Sequence, residues 1–173
     1  MSRLRRLVLS DRYFFVTCNL LRSRHPLKEG DLGTLARVIE ARRREQGFLL
    51  TAWVFLPDHW HALIGLRYPK TVSLVLESLK VASTRRINTR QNESGRLWQG
   101  RFFDRALRTV KEYHETVEYI HWNPVRRGWV ARPEEWRWSS VHEYGFGEVV
   151  DAQAGPALRI DRVRLPAEQT AKI

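Results

Sequence analysis

Residues 49–66, LLTAWVFLPDHWHALIGL, place two apolar runs on either side of a Pro-Asp turn, the clearest structural signal in the chain. Both runs are rich in residues that favour strands, so they predict a β-hairpin with its turn at Pro57-Asp58. Successive side chains of a strand point to opposite faces. We therefore expect Trp60 to enter the core and His59 and His61 to face outward together. Paired imidazoles are common metal ligands, although two ordinary surface histidines on a hairpin give the same pattern.

The segments around this hairpin predict further strands and helices in alternation. In chain order the predicted elements are a strand at 13–20, a helix at 31–46, the hairpin, a helix at 73–90, a short strand at 103–108 and a helix at 110–122. Asp31 can cap the first helix, and Pro124 is expected to end the last one, because the residue before a proline is disfavoured in helical geometry. This order predicts an α+β fold, namely a ferredoxin-like βαββαβ sandwich with an added C-terminal helix.

The length and composition of the chain predict a single domain. Its 173 residues are 43% hydrophobic, enough for a substantial core. The hydrophobic pattern loses its periodicity after Gly147. We therefore expect one domain at 1–147 and a loose C-terminal tail at 148–173.

The charge of the chain is strongly positive. Thirty Lys and Arg residues stand against 19 Asp and Glu, which gives a net charge of +11 and an isoelectric point near 10.6. Arginine supplies most of this charge, and its forked guanidinium suits contacts with phosphates. The balance favours a nucleic acid partner, with a generally basic protein as the alternative.

The single cysteine and the lack of long apolar runs bear on where in the cell the protein is expected to be found. Cys18 is the only cysteine, so no disulfide framework can form within the chain, and its apolar neighbours predict a buried thiol. The run at residues 7–9 is too short for the core of a signal peptide, and no run is long enough to span a membrane. We expect a soluble, cytoplasmic protein with no membrane partner.

The predicted third helix carries a tyrosine outside its buried stripe. The stripe consists of Val110, Tyr113, Val117 and Ile120. Tyr119 lies off this stripe, and Asn123 follows it one turn later, at i+4. A tyrosine in this position is a candidate for catalysis, although an amphipathic tyrosine with its hydroxyl in solvent gives the same spacing.

Four segments, in this order, resemble the REP-associated tyrosine transposases, a domesticated branch of the single-tyrosine HUH transposases. They are LPDHWHALI at 56–64, LWQGRFF at 97–103, EYIHWNPVRRGWV at 118–130 and WRWSS at 136–140. The similarity extends over about residues 10–142, and the order of the motifs agrees as well as their content. A histidine pair alone is a weak signal, whereas this combination is specific.

The resemblance implies an enzyme and its site residues. One divalent metal, Mg²⁺ or Mn²⁺, would be held by His59, His61 and Asn123, although imidazoles also bind Zn²⁺ well. Tyr119 would attack a phosphodiester of single-stranded DNA and form a 5′-phosphotyrosine, which permits rejoining without ATP. A phenol is protonated at neutral pH and needs a base or a positive field. Glu115, one turn before the tyrosine, is the candidate base by its position.

The substrate implied by the resemblance is a REP palindrome, an imperfect DNA hairpin beside a short guide tetranucleotide, in the nucleoid of a bacterium. The candidate DNA-binding residues are Arg85, Arg86, Arg90, Arg96, Trp98, Arg101, Phe102, Arg105, Arg108, Arg126 and Arg127. In this interpretation the arginines contact phosphates and the two aromatics stack on unpaired bases. Solvated charges and core aromatics are the alternatives.

Two other functions fit parts of the sequence. A protein of the same fold that binds REP hairpins without cutting them is one alternative. An RNA-binding accessory protein that uses the sheet as a platform is the other, but it leaves the histidine pair unexplained. The domesticated branch favours a monomer, with a dimer that shares its sites as the alternative.

Overall fold

The computed structural model describes residues 11–145 and 158–165. The main elements are β1 (Asp11–Asn19), α1 (Glu29–Gln46), β2 (Leu49–Phe55), β3 (His59–Arg67), α2 (Val72–Gln91), β4 (Phe103–Ala106) and α3 (Val110–Arg126), followed by 3₁₀ turns at Pro133–Glu135 and Ser140–Glu143. The predicted α+β class and the predicted order of elements are confirmed. None of the helices in the described residues is sufficiently long and apolar to cross a membrane.

The four strands form one antiparallel sheet in the order β2-β3-β1-β4, with helices on both faces. Helices α1 and α2 pack on one face, against residues that include Trp60 and Ile64. Helix α3 packs on the other face, where it contacts Phe15, Val54 and Leu63. We refer to this second side of the sheet as the α3 face. The fold is therefore the ferredoxin-like sandwich with one additional helix on the free face of its sheet.

Helix α1 begins two residues before the predicted cap. Asp31 is not the N-cap but the third helical residue, and its carboxylate accepts a hydrogen bond from the backbone N–H of Lys28 at 3.0 Å. A carboxylate in this position satisfies one of the free N–H groups at the helix start and suits the helix dipole. Gly47 ends the helix with φ of 66°, a left-handed conformation that glycine adopts readily.

Helix α3 continues through Pro124 to Arg126, and the prediction that it ends before the proline is wrong. A proline in the last turn removes one N–H, whose partner would be the carbonyl of Ile120, and leaves the following bonds intact. The backbone N–H of Arg127 still donates to the carbonyl of Asn123 at 3.1 Å. Asn123 therefore keeps helical geometry, and its side chain stays on the side of the helix that carries Tyr119.

The segment 136–140, WRWSS, covers the outer edge of β2, which is an edge strand of the sheet. The backbone N–H of Phe55 donates to the carbonyl of Trp138, and that of Trp53 donates to Ser140 Oγ, both at 2.9 Å. The indole N–H of Trp136 donates to the carbonyl of Phe55, also at 2.9 Å. The segment 136–140, one of the four that resemble the family, therefore has a structural role. It covers an edge strand that could otherwise pair with a strand of another chain.

Residues 158–165 lie against the same edge. Leu158 is buried, and the carboxylate of Asp161 accepts hydrogen bonds from the backbone N–H of Leu50 at 2.9 Å and from the guanidinium of Arg43 at 3.0 Å. Leu158 and Asp161 therefore have partners in the domain, and a loose tail stays a prediction for the rest of the expected segment. Residues 148–157 and 166–173 of the expected tail lie outside the described residues, and the domain division itself stays a prediction.

Cys18 lies in the core, as its apolar neighbours predict. Burial raises the pKa of its thiol to about 12. The thiol therefore stays protonated at neutral pH, and only the thiolate is reactive. Cys18 is a packing residue and has no place in the chemistry described below.

Candidate active site

The histidine pair lies on β3, with β1 on one side and β2 on the other, and both imidazoles point to the α3 face. Trp60 points to the opposite face and is buried there, as predicted. The imidazoles, however, do not face solvent: His59 is 2% exposed and His61 is 4% exposed. This difference arises because α3 lies over the sheet at this point. The two rings are neighbours, with centroids 4.7 Å apart.

Each imidazole is held through its Nδ1 atom by a neighbouring side chain. His61 Nδ1 is 2.8 Å from Thr17 Oγ1, on the adjacent strand β1. His59 Nδ1 is 2.6 Å from the carboxylate of Asp58, in the hairpin turn. An acceptor at Nδ1 fixes the ring and its tautomer, and it leaves the lone pair of Nε2 free for another partner.

Asn123 reaches the histidine pair from α3. Its Nδ2 atom is 3.1 Å from His61 Nε2 and donates to it, which assigns the ring proton of His61 to Nδ1, toward Thr17. Burial, followed by the neighbouring His59 and by Arg127, lowers the pKa of His61 to about 3. The ring is therefore neutral at physiological pH, the form that binds metals.

Two polar atoms of this cluster are buried without a hydrogen-bond partner among the described residues: His59 Nε2 and Asn123 Oδ1. Buried polar groups nearly always have partners, and an unsatisfied one costs about 1–3 kcal/mol. Within the described residues no group of three His, Cys, Asp or Glu side chains is arranged to hold a metal. An amide oxygen and two imidazole nitrogens are thus the donors available here.

Tyr119 lies beside this cluster and is 38% exposed. Its ring centroid is 5.6 Å from that of His61 and 5.6 Å from that of Phe15, both in edge contacts. The guanidinium of Arg126 lies over the same ring, 5.1 Å from its centroid. Tyr119 and Asn123 are one helical turn apart, so α3 carries both to the histidine pair together. The side chain lies off the buried stripe of α3, as the spacing predicts. The rings of His61 and Phe15 and the guanidinium of Arg126 nevertheless cover part of it.

Glu115 pairs with a lysine, and not with the tyrosine, among the described residues. Its carboxylate lies 3.8 Å from Lys111 Nζ and is largely exposed. None of the hydrogen bonds between described residues joins it to Tyr119. Its assignment as the base therefore rests on its position one turn away and stays a prediction.

Three of the candidate arginines border the site. Arg105, on β4, donates from Nη2 to Thr116 Oγ1 of α3 at 3.3 Å. Arg126 lies over the Tyr119 ring, and the charge of Arg127 acts on His61. Positive charge therefore lies close to the cluster and to Tyr119, which suits a phosphate-bearing ligand.

The arginines of α2 lie on the other side of the sheet. Arg85 and Arg86 are exposed on the helix, whereas Arg90 forms an ion pair at 3.2 Å with the buried carboxylate of Asp31. Because α2 packs on the face opposite α3, these residues are not brought to the histidine pair. The remaining candidates, Arg96, Arg101 and Arg108, are exposed in the connecting segments.

The two aromatics predicted to stack on bases have other surroundings. Trp98 is buried in the core, and its indole N–H donates to Ser83 Oγ at 2.8 Å, so the prediction that it stacks on DNA is wrong. Phe102 is half-buried against the same core, with Lys80 Nζ 6.0 Å from its ring centroid. Phe103, which the sequence analysis did not single out, is instead the exposed aromatic of this segment, at 53%.

Sequence reasoning also missed the residues that orient the imidazoles. Asp58 directly precedes His59, so a carboxylate within reach of the pair is visible in the sequence. Thr17 and Phe15 are 44 and 46 positions before His61, and only the pairing register of β1 with β3 brings them to it. No local pattern indicates that register.

Comparisons with known proteins show which family the chain resembles. The model of the family described as "Transposase IS200 like" matches residues 9–123. The chain is 32% identical, over 165 residues, to the REP-associated tyrosine transposase of Escherichia coli, an alignment that covers 90% of this chain and 97% of that protein. It is 30% identical to a Haemophilus influenzae protein named for the same group, with 65% of this chain and 71% of that protein covered.

Two solved structures are also similar to this chain. A REP-associated tyrosine transposase bound to a REP hairpin superposes with a TM-score of 0.70 at 29% identity, over 89% of this chain and 93% of that one. A Deinococcus radiodurans protein, at 18% identity and a TM-score of 0.50, covers 64% of this chain and 88% of its own and supports the fold alone. The chain therefore belongs to the IS200-like transposase family and, within it, to the REP-associated tyrosine transposases.

Proposed function

We propose that this chain is a metal-dependent single-stranded DNA endonuclease and strand-transferase that acts on REP-type hairpins through a 5′-phosphotyrosine at Tyr119. The observation that carries the proposal is the meeting of His59, His61 and Asn123 directly beside the ring of Tyr119. A nucleophile and three uncharged donors in one small cluster suit phosphoryl transfer at a bound cation.

The donor set fits a divalent metal. His59 Nε2 and Asn123 Oδ1 are the buried atoms that lack partners, and His61 Nε2 has only the amide of Asn123. Rotating that amide by 180° exchanges its nitrogen and oxygen, which are not distinguished by shape, and turns Oδ1 toward the imidazole. Mg²⁺ or Mn²⁺ is our assignment, with Zn²⁺ as the competitor that imidazoles also favour.

Each residue of the site has a separate role in the proposed reaction. When bound, the metal would polarise the scissile phosphate and help to place it. The Tyr119 oxygen attacks the phosphorus, the bond from phosphorus to the 3′ oxygen breaks, and that oxygen takes up a proton. The phenolic proton leaves to a base, for which Glu115 remains our candidate, while Arg126 supplies positive charge over the ring. The reverse attack by a 3′-hydroxyl rejoins the strand.

The proposed partner is hairpin DNA. The relative of known structure at 29% identity is bound to a REP hairpin, and the chain here has a net charge of +11 with three arginines close to the site. We propose that Arg105, Arg126 and Arg127 contact the strand that is cut. The exposed arginines outside the site, Arg85 and Arg86 among them, would contact backbone phosphates elsewhere, and a monomer is the proposed active form.

The test is an end-labelled single-stranded DNA that folds into a REP-type hairpin with unpaired flanks. We expect the purified chain to cut it in Mg²⁺ or Mn²⁺, to leave a free 3′-hydroxyl and to retain the other fragment as a denaturation-resistant adduct. With a chelator the DNA should bind but stay intact. Denaturing gel electrophoresis resolves all three species.

The same assay separates the alternatives. Binding of the DNA hairpin with no adduct in either metal would favour the non-cleaving protein and overturn the proposed reaction. Tighter binding of an RNA hairpin of the same sequence, with no cleavage of DNA, would favour the RNA-binding accessory protein. A hairpin of unrelated sequence controls for the general attraction between a basic protein and DNA.

Thr17→Val is expected to weaken metal binding about 10- to 100-fold, the usual cost of losing a residue that orients a metal-bound histidine. Valine keeps the shape of threonine but cannot accept the Nδ1 proton of His61. Thr51→Val is the matched control, because Thr51 is buried in the same sheet and bonds to a backbone carbonyl instead. Titration of Mn²⁺ by calorimetry measures both. Equal affinities in the two variants would contradict the role of Thr17.

A further inference from the structure

The pairing register places Phe103 in line with the candidate metal ligands. Phe103 on β4 lies opposite Thr17 on β1, and Thr17 lies opposite His61 on β3. Directly opposite residues of antiparallel strands point to the same face. Two strand spacings of 4.7–4.9 Å put the Cα atoms of Phe103 and His61 about 10 Å apart on the α3 face.

The ring of Phe103 is supported on one side and open on the other. Its centroid is 6.0 Å from that of Phe15, in an edge contact, and 53% of the residue is exposed. Phe15 in turn contacts both Tyr119 and His61, with centroids 5.6 Å and 5.3 Å away. The ring of Phe15 therefore lies between the exposed ring of Phe103 and the ring of Tyr119, the proposed nucleophile.

The arginines near Phe103 and near Tyr119 favour one kind of ligand. Arg105, two residues along β4, points to the same face and is held by Thr116 of α3. Arg126 lies over the ring of Tyr119. An open aromatic ring beside guanidinium groups suits a nucleotide, whose base can stack while its phosphate is neutralised. An apolar protein segment would leave these charges unpaired.

We propose that Phe103 is a stacking position for one unpaired base within two nucleotides of the phosphodiester that Tyr119 attacks. This inference rests on the proposed function and adds a subsite to it. Stacking accepts any base, so Phe103 positions the strand at the nucleophile and does not read its sequence. It takes the place of the buried Trp98 as an aromatic contact to DNA, whereas the stacking of Phe102 stays a prediction.

The first test compares affinities for the hairpin DNA in a Tyr119→Phe background, where binding is not coupled to cutting. Phe103→Ala is expected to weaken binding about 5- to 150-fold, the range for loss of one stacked base, and Phe103→Trp is expected to restore it. Tyr68→Ala is the matched control. Tyr68 is 94% exposed just beyond the end of β3 that is remote from His61, so its removal should leave the affinity unchanged.

The second test uses abasic nucleotides, placed one at a time in the unpaired flank. One position should weaken binding to the parent protein but add no further loss to Phe103→Ala, because the missing base and the missing ring remove the same contact. Undiminished affinity of Phe103→Ala, or abasic penalties that are identical in both proteins, would overturn the proposal. If hairpins bind but are never cut, the proposed strand transfer fails, whereas this comparison of affinities still decides whether the base stacks.

Discussion

Tyr119→Phe is expected to abolish the covalent adduct and to lower strand cleavage by at least about 1,000-fold, as the loss of an essential nucleophile does in other enzymes. The variant removes one oxygen and keeps the ring. The edge contacts of that ring with Phe15 and His61 do not involve the hydroxyl, so the fold and the affinity for hairpin DNA should persist. Denaturing gels measure the adduct, and a filter-binding titration measures the affinity.

Tyr113→Phe is the control for this prediction. Tyr113 lies in the buried stripe of the same helix, and the centroid of its ring is 5.4 Å from that of Tyr13. Removing its hydroxyl should leave cleavage at the level of the unmodified protein. An adduct that persists in Tyr119→Phe would show that another residue is the nucleophile, and the assignment would be wrong.

His61→Ala is expected to weaken Mn²⁺ binding by more than about 100-fold, since the loss of an orienting partner alone costs about 10- to 100-fold. The change removes the imidazole at the centre of the cluster, between Thr17, His59 and Asn123. Cleavage should be lost with the metal, while hairpin binding through the arginines remains. Calorimetric titration with Mn²⁺ measures the first effect directly.

The truncation also opens a cavity, so a second buried imidazole serves as the control. His121 is likewise buried, and its Nε2 lies 2.9 Å from Ser140 Oγ on the side of α3 away from the cluster. His121→Ala should lower the unfolding temperature without changing Mn²⁺ affinity. Asn123→Asp, which keeps an oxygen donor and adds charge, should bind the ion at least as tightly as the unmodified protein. Unchanged Mn²⁺ affinity in His61→Ala would remove these residues from the metal site.

The strands and their facing were predictable because their signal is local. The hairpin at 49–66 follows from β-forming residues around a Pro-Asp turn, and alternation alone sends Trp60 to one face and the histidines to the other. The alternation of side chains along a strand does not show which element covers the second face of the sheet. The imidazoles are buried because α3 crosses them, and that packing depends on contacts between residues far apart in the sequence.

The wrong predictions for Pro124 and Trp98 also arise because tertiary packing is not visible in a local pattern. Proline preferences predict an end to α3 before Pro124, but a proline so near the C-terminus costs only one hydrogen bond, and the buried side of the helix outweighs it. The aromatic segment 97–103 gave no local indication of which ring is exposed. Strand register decides it, by sending Phe103 to the α3 face, while Trp98 bonds to Ser83 in the core.

The central claim is that Tyr119, placed by α3 beside His59, His61 and Asn123, becomes covalently joined to DNA. The most direct measurement is peptide mass spectrometry of the protease- and nuclease-digested adduct formed with hairpin DNA in Mn²⁺. We predict a nucleotide linked through its 5′-phosphate to Tyr119, formed in Mn²⁺ and absent with chelator. A phosphate on any other residue, or an adduct that forms equally well without metal, would contradict this account.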